Sequence, residues 1–215
     1  VSAVSLIMSS VGILFRTYAS NRVGSETMGL LQLILSVYFP ACTVASSGVY
    51  VASTRLCSEA LARSDRKISS ILSRCLLYGL SFGLAAFLAL FFGAKAIAIH
   101  WLKYSDAEIP LKILSFGLPF LSAANALQGF FLSLRKASYS TVLQIVEDFS
   151  KIGVTILLFG IFFYDFPLPA LCAMVAGMAI GEIVSCIFGY LLYRIKNQSL
   201  SPVTNKNMGR IFPEI

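Results

Sequence analysis

The sequence predicts an all-α integral membrane protein with six spanning helices, on three observations. Of 215 residues, 57% are hydrophobic and only 13% charged, with a mean hydropathy of +0.81; a soluble domain of this length needs more charge to cover its surface. Several windows of about 20 residues are almost free of charge, enough helix to cross roughly 30 Å of hydrocarbon. No run of about 10 residues alternates polar and apolar as a barrel strand does, and helices satisfy their own backbone hydrogen bonds in lipid. The formal net charge of +7 then concerns topology and lipid contact rather than nucleic acid. Basic residues gather between the apolar runs, and no aromatic-interleaved basic strand occurs.

The first span covers residues 1–20. It starts inside an apolar run at Val1, so its beginning is expected to be missing, and no signal peptide can be assessed. The second, 27–56, is long and carries Pro40, which is expected to kink it or loosen its hydrogen bonds. The third, 71–99, contains Gly79 and Gly83, a short small-residue patch. The fourth runs over 109–134 and the fifth over 140–164. The sixth, 168–193, places Ala173, Gly177, Gly181, Ser185 and Gly189 at every fourth residue. That is one smooth stripe on which another helix can lie close. Residues 1–194 thus form a six-helix lobe, and 195–215 read as a polar cytoplasmic linker.

Orientation follows from Lys and Arg. Arg55, Arg63, Arg66, Lys67, Arg74, Arg135, Lys136, Arg194, Lys196, Lys206 and Arg210 fall on one side; Arg16, Arg22, Lys95, Lys103 and Lys112 fall on the other. Eleven against five places both termini in the cytoplasm, with Trp101 and Tyr104 at the outer interface.

Cys42, Cys57, Cys75, Cys172 and Cys186 show no CxxC spacing and all lie in apolar spans, where they act as small hydrophobes. With His100 the only histidine, neither a zinc site nor a triad is expected, and no cofactor or metal is called for. The loops offer only isolated acids, Asp65, Asp106 and Glu108, so an enzyme that uses metal or nucleotide is not expected.

The fifth span is unlike the others. At 100° per residue, Ser140, Gln144, Glu147, Asp148, Lys151 and Thr155 share one arc of its surface. Glu147 lies about 15 Å from the cytoplasmic end at about 1.5 Å per residue, near the bilayer midplane. Each charge there would cost at least about 2.5–3.5 kcal/mol if it faced lipid. The stripe must therefore face other helices or a water-filled cavity. Glu147 and Lys151 stand i,i+4 in the favourable order and can pair, which leaves Asp148 unmatched. Arg16 and Glu182 are the other charges at depth. Mixed-sign charges on helices that can converge look like a substrate or ion pathway, and a self-satisfied structural network is the alternative.

Several stretches carry a family resemblance. "GILFRTYASNRVGSETMGLLQL" (12–33), "SSGVYVASTRLCSE" (46–59), "LQGFFLSLRKASYSTVLQIVEDFSKIG" (127–153) and "GEIVSCIFGYLLYRIK" (181–196) resemble, in the right order, the helices and junctions of the stage V sporulation protein B family. That family is part of the multidrug/oligosaccharidyl-lipid/polysaccharide exporter superfamily. The resemblance implies a two-lobe transporter of twelve to fourteen helices, of the multidrug-and-toxin-extrusion type, of which this chain is the first lobe. It implies a flippase that moves lipid-linked oligosaccharide or peptidoglycan precursors by alternating access, in cell-wall or spore-cortex assembly. The partners implied are a polyprenyl-pyrophosphate-linked glycan, membrane lipid and a coupling H+ or Na+. Arg16 and Arg22 match two basic positions that the lipid II flippases use to hold the anionic head. They join Gln144, Glu147, Asp148 and Lys151 as candidate substrate-binding residues, with Glu147, Asp148 and Glu182 as candidate ion-coupling acids. A cation-coupled drug exporter and a non-transporting membrane scaffold are the competing readings.

Overall fold

A computed structural model describes residues 2–46, 48–62, 68–134, 137–161 and 167–200. These form α1 (Ser2–Val23), α2 (Ser25–Ala45), α3 (Val49–Ala62), α4 (Ile68–Ala96), α5 (Glu108–Ser115), α6 (Gly117–Ser133), α7 (Ala137–Ile161) and α8 (Pro167–Leu200), with a π turn at Ile97–Trp101 and a 3-10 turn at Ser105–Ala107. No strand occurs among the described residues. Side chains face outward as they do in a lipid solvent. Leu14, Leu77 and Phe92 are 69%, 68% and 76% exposed on α1 and α4, an arrangement that water would not tolerate over so large an area.

Four helical stretches among the described residues are long and apolar enough to cross a membrane: Ser25–Ala62, Ser69–Trp101, Ser105–Ser133 and Ala170–Ile195. The chain is therefore an all-α membrane protein. The expected count of six spans is not reached by this measure. Every 18-residue stretch of α7 contains Glu147, Asp148 and Lys151, three charges, whereas each of the four spans has an 18-residue stretch with two at most.

Two expected spans are each broken into two helices. The second breaks not at Pro40, which α2 accommodates in its interior, but after Ala45. There Ser46 turns back on Cys42, its N–H and its hydroxyl both donating to the Cys42 carbonyl, at 2.9 and 2.6 Å. Gly48 follows at φ +68°, a left-handed conformation that glycine adopts without steric cost. The fourth span breaks at Phe116. Pro119 has no N–H to give to the Ser115 carbonyl, so a continuous helix would leave that acceptor unmet. The sixth helix is longer than expected and continues to Leu200; residues 201–215 of the expected linker lie outside the described residues, as do Arg63, Arg66, Lys67, Arg135 and Lys136.

Helix α6 is the hub, touching α2, α3, α4, α5, α7 and α8. Small residues permit this. Gly83 of α4 lies so close that a built Cβ would stand 2.8 Å from the Pro119 Cα. Ser122 donates to the Gly79 carbonyl and Ser53 of α3 to the Ala126 carbonyl, both at 2.7 Å. Such interhelical bonds are net favourable where no water competes. Apolar packing falls into two separate clusters. One joins Ile34, Leu90, Leu111, Leu114, Leu118, Leu171 and Val175. The other joins Cys57, Leu72, Leu127, Phe130, Phe131 and Leu143, with Phe188 and Tyr193 against it. Along α8, Glu182 falls between Val175 of the first and Phe188 of the second; along α7, Glu147 and Lys151 follow Leu143 of the second.

Candidate functional site

The site begins with the packing of α8 on α7. The predicted stripe is buried throughout, at Ala173, Gly177, Gly181, Ser185 and Gly189, and its partner is α7. Gly189 rests against Leu143, Gly181 against the Lys151 stem and the Glu147 carbonyl, and Gly177 against Thr155. The seam on α7 thus follows the i+4 row Leu143–Glu147–Lys151–Thr155, as ridge-into-groove packing favours.

That row carries charge into the bundle. The Lys151 ammonium donates to Glu147 Oε1 at 2.6 Å and to Glu182 Oε1 of α8 at 2.9 Å. Their side chains are 24%, 14% and 6% exposed, in the order Lys151, Glu147, Glu182. Thr155 donates to the Lys151 carbonyl at 2.7 Å. The expected i,i+4 pair is therefore present, but as two sides of a three-membered cluster in which one cation serves two carboxylates. Gly181 makes this possible, since a side chain there would occupy the path of the Lys151 stem.

Two buried polar atoms, Glu182 Oε2 and Ser185 Oγ, have no hydrogen-bond partner among the described residues, and the buried Tyr38 hydroxyl has only the Cys42 thiol within reach. Sequence reasoning missed Tyr38 and Ser185. The available signal was a tyrosine deep in an apolar span just before Pro40, and a serine one turn beyond Glu182 on the packing stripe.

The other expected residues are not brought into the cluster. The polar arc of α7 splits, because the seam runs along one i+4 row only. Gln144 is exposed and Asp148 half-buried, one position off the seam, and Asp148 makes no hydrogen bond or ion pair among the described residues. Arg16 is exposed on α1, and no ion pair links it to Glu147, Asp148 or Glu182 among the described residues. Arg22 lies over the Tyr18 ring at 5.9 Å. Helix α1 does nonetheless pack on α7 as well as on α2, so the helices that bear these charges are neighbours. Among the described residues no group of three His, Cys, Asp or Glu side chains is placed to hold a metal ion.

Residues 1–212 match the polysaccharide biosynthesis protein family. The chain belongs to that family. It is also 26% identical over 197 residues to stage V sporulation protein B of Bacillus subtilis (strain 168), an alignment that covers 90% of this chain and 38% of that protein. The chain thus spans under half the length of this curated relative. No solved structure matches. Family and apolar helices together make this member of the polysaccharide biosynthesis protein family a multi-pass membrane protein.

Proposed function

We propose that this chain is the first lobe of a two-lobe flippase that carries lipid-linked oligosaccharide or peptidoglycan precursors across the bacterial cytoplasmic membrane by alternating access. One observation carries the reading: Lys151, Glu147 and Glu182 are buried together between helices that are otherwise apolar. A helix that only anchored the protein would gain from losing Glu147, Asp148 and Lys151. The split of the α7 arc gives the charges separate tasks. The seam row holds α7 to α8, while Gln144 and Asp148, off the seam, and Arg16 on the neighbouring α1 would line the substrate cavity. Such a cavity suits a glycan pyrophosphate, whose anionic head pairs with a planar guanidinium fork and whose hydroxyls pair with amide and carboxylate groups.

The test is transport of a lipid-linked glycan into vesicles by the full-length protein. Arg16→Ala is expected to abolish transport at unchanged protein level. Arg22→Ala is expected to be milder, because a residue at the helix exit can be replaced by water. Equal behaviour of the two, or full activity of Arg16→Lys, would remove the anchor role.

The proposed orientation has its own test. A single cysteine at Ser105 is expected to react with an impermeant thiol reagent in intact cells, and one at Ser64 is not, in a background free of other cysteines. The reverse pattern would invert the topology.

A further inference from the structure

Helices α7 and α8 enclose more negative than positive charge. Glu147 and Glu182 share Lys151, so one carboxylate has no counter-charge of its own. An unbalanced buried ion is far more costly than a neutral acid in the same place. The two carboxylates differ in what surrounds them. Glu182 is the more deeply buried, at 6% exposure against 14% for Glu147, and its second oxygen is unpartnered. The Glu182 side chain borders a polar niche made by three helices. Gly117 of α6, by lacking a side chain, leaves a methyl-sized space: a Cβ built there would be 3.5 Å from the Tyr38 hydroxyl and 3.6 Å from Glu182 Cγ. Tyr38 is 4% exposed, its hydroxyl within reach of the Cys42 thiol alone, and Ser185 is fully buried with its hydroxyl unpartnered. A buried carboxylate oxygen without a partner is a group whose state has to be explained, and a proton on it removes the uncompensated charge.

We infer that Glu182 holds a transferable proton on Oε2, the oxygen that Lys151 does not engage, and that Glu182 rather than Glu147 is the ion-coupling acid of this lobe. The coupling part rests on the transporter reading above; the proton site does not. In the loaded state Lys151 balances Glu147, and Glu182 is a neutral acid. In the unloaded state the O–H bond breaks, its electron pair stays on the carboxylate and the proton leaves to water. Lys151, already within 2.9 Å, then holds both acids. The charged groups that face Glu182 are Lys151 and Glu147 of α7, with Asp148 beyond them on the same helix. Helix α2 contributes Tyr38 and Cys42, and α8 itself Cys186. Helix α6 has no titratable side chain, and the Glu108 and Lys112 of α5 pair with each other at 2.6 Å. A sodium ion fits this niche poorly. A hard cation needs several oxygen ligands, whereas the niche offers one carboxylate oxygen and two hydroxyls, with an ammonium on the same carboxylate to repel it.

Infrared difference spectroscopy of the full-length protein across a pH step reads this directly. A carbonyl stretch of a protonated carboxylic acid is expected near neutral pH and is lost as pH rises. It should vanish in Glu182→Gln and shift in Tyr38→Phe, which keeps the ring and removes the hydroxyl. It should also be lost in Glu147→Gln, where Lys151 balances Glu182 alone. A band that survives Glu182→Gln, a band unmoved by Tyr38→Phe, or no such band at all would overturn the proton site. A band abolished by sodium at fixed pH would replace it with a cation site. Loss of the band in Glu182→Gln with undiminished transport would leave the proton site standing and overturn its coupling role.

Discussion

Lys151→Met is expected to destabilise the folded protein by about 3–5 kcal/mol, since removal of one partner leaves buried carboxylate without its counter-charge. Methionine keeps the length of the stem over Gly181, so the loss is electrostatic rather than a packing defect. Chemical unfolding of the purified full-length protein in detergent measures it. The second variant in the series decides the cause. Glu147→Gln added to Lys151→Met is expected to restore most of the loss, because with Glu182 carrying its proton the cluster is then neutral. A double variant as unstable as Lys151→Met alone would mean that Glu182 is ionised in the folded state.

Gly83→Val is expected to separate α4 from α6 and to cost more than the roughly 1–3 kcal/mol typical of an overpacked core. The obstacle decides the magnitude. At Gly83 the new Cβ meets backbone, the Pro119 Cα at 2.8 Å and the Leu118 carbonyl at 3.1 Å, and neither can turn aside. At Gly181 the obstacle is the flexible stem of Lys151, so Gly181→Ala is expected to cost less and to show itself in the ion cluster instead. Gly153 has nothing within 4 Å of a built Cβ, and Gly153→Ala is expected to stabilise by about 0.5–1 kcal/mol through helix propensity alone. The three substitutions thus span both signs, and thermal unfolding of each orders them.

Much of this was legible in the sequence, and the reasons are local. Apolar run length announced the helices. The four-residue recurrence from Ala173 to Gly189 announced a close helix contact, since periodicity needs no knowledge of the partner. The i,i+4 spacing of Glu147 and Lys151 announced their pair. What was not legible depends on how helices cross. Angular position alone put Gln144 and Asp148 with Glu147 and Lys151, but the seam with α8 follows one inclined row and excludes the other two. The third member of the cluster, Glu182, was visible as a charge at depth but not as the second acceptor for Lys151. Tyr38 is 144 positions from Glu182, and only the meeting of α2, α6 and α8 at Gly117 makes them neighbours. The breaks after Ala45 and at Phe116 hid inside hydrophobic runs, because hydropathy does not register a left-handed glycine or a missing amide donor.

The division of the apolar interior into two clusters, with the ionic groups between, has a consequence for how the lobe can change over generations. Each cluster is a self-contained packing problem. A volume change at Leu114 has no side chain in common with one at Phe131, so compensating substitutions need only arise within the same cluster, where couplings between neighbours are strong. The lobe is in this respect modular: its two clusters can be retailored separately while the charged layer between them stays as it is.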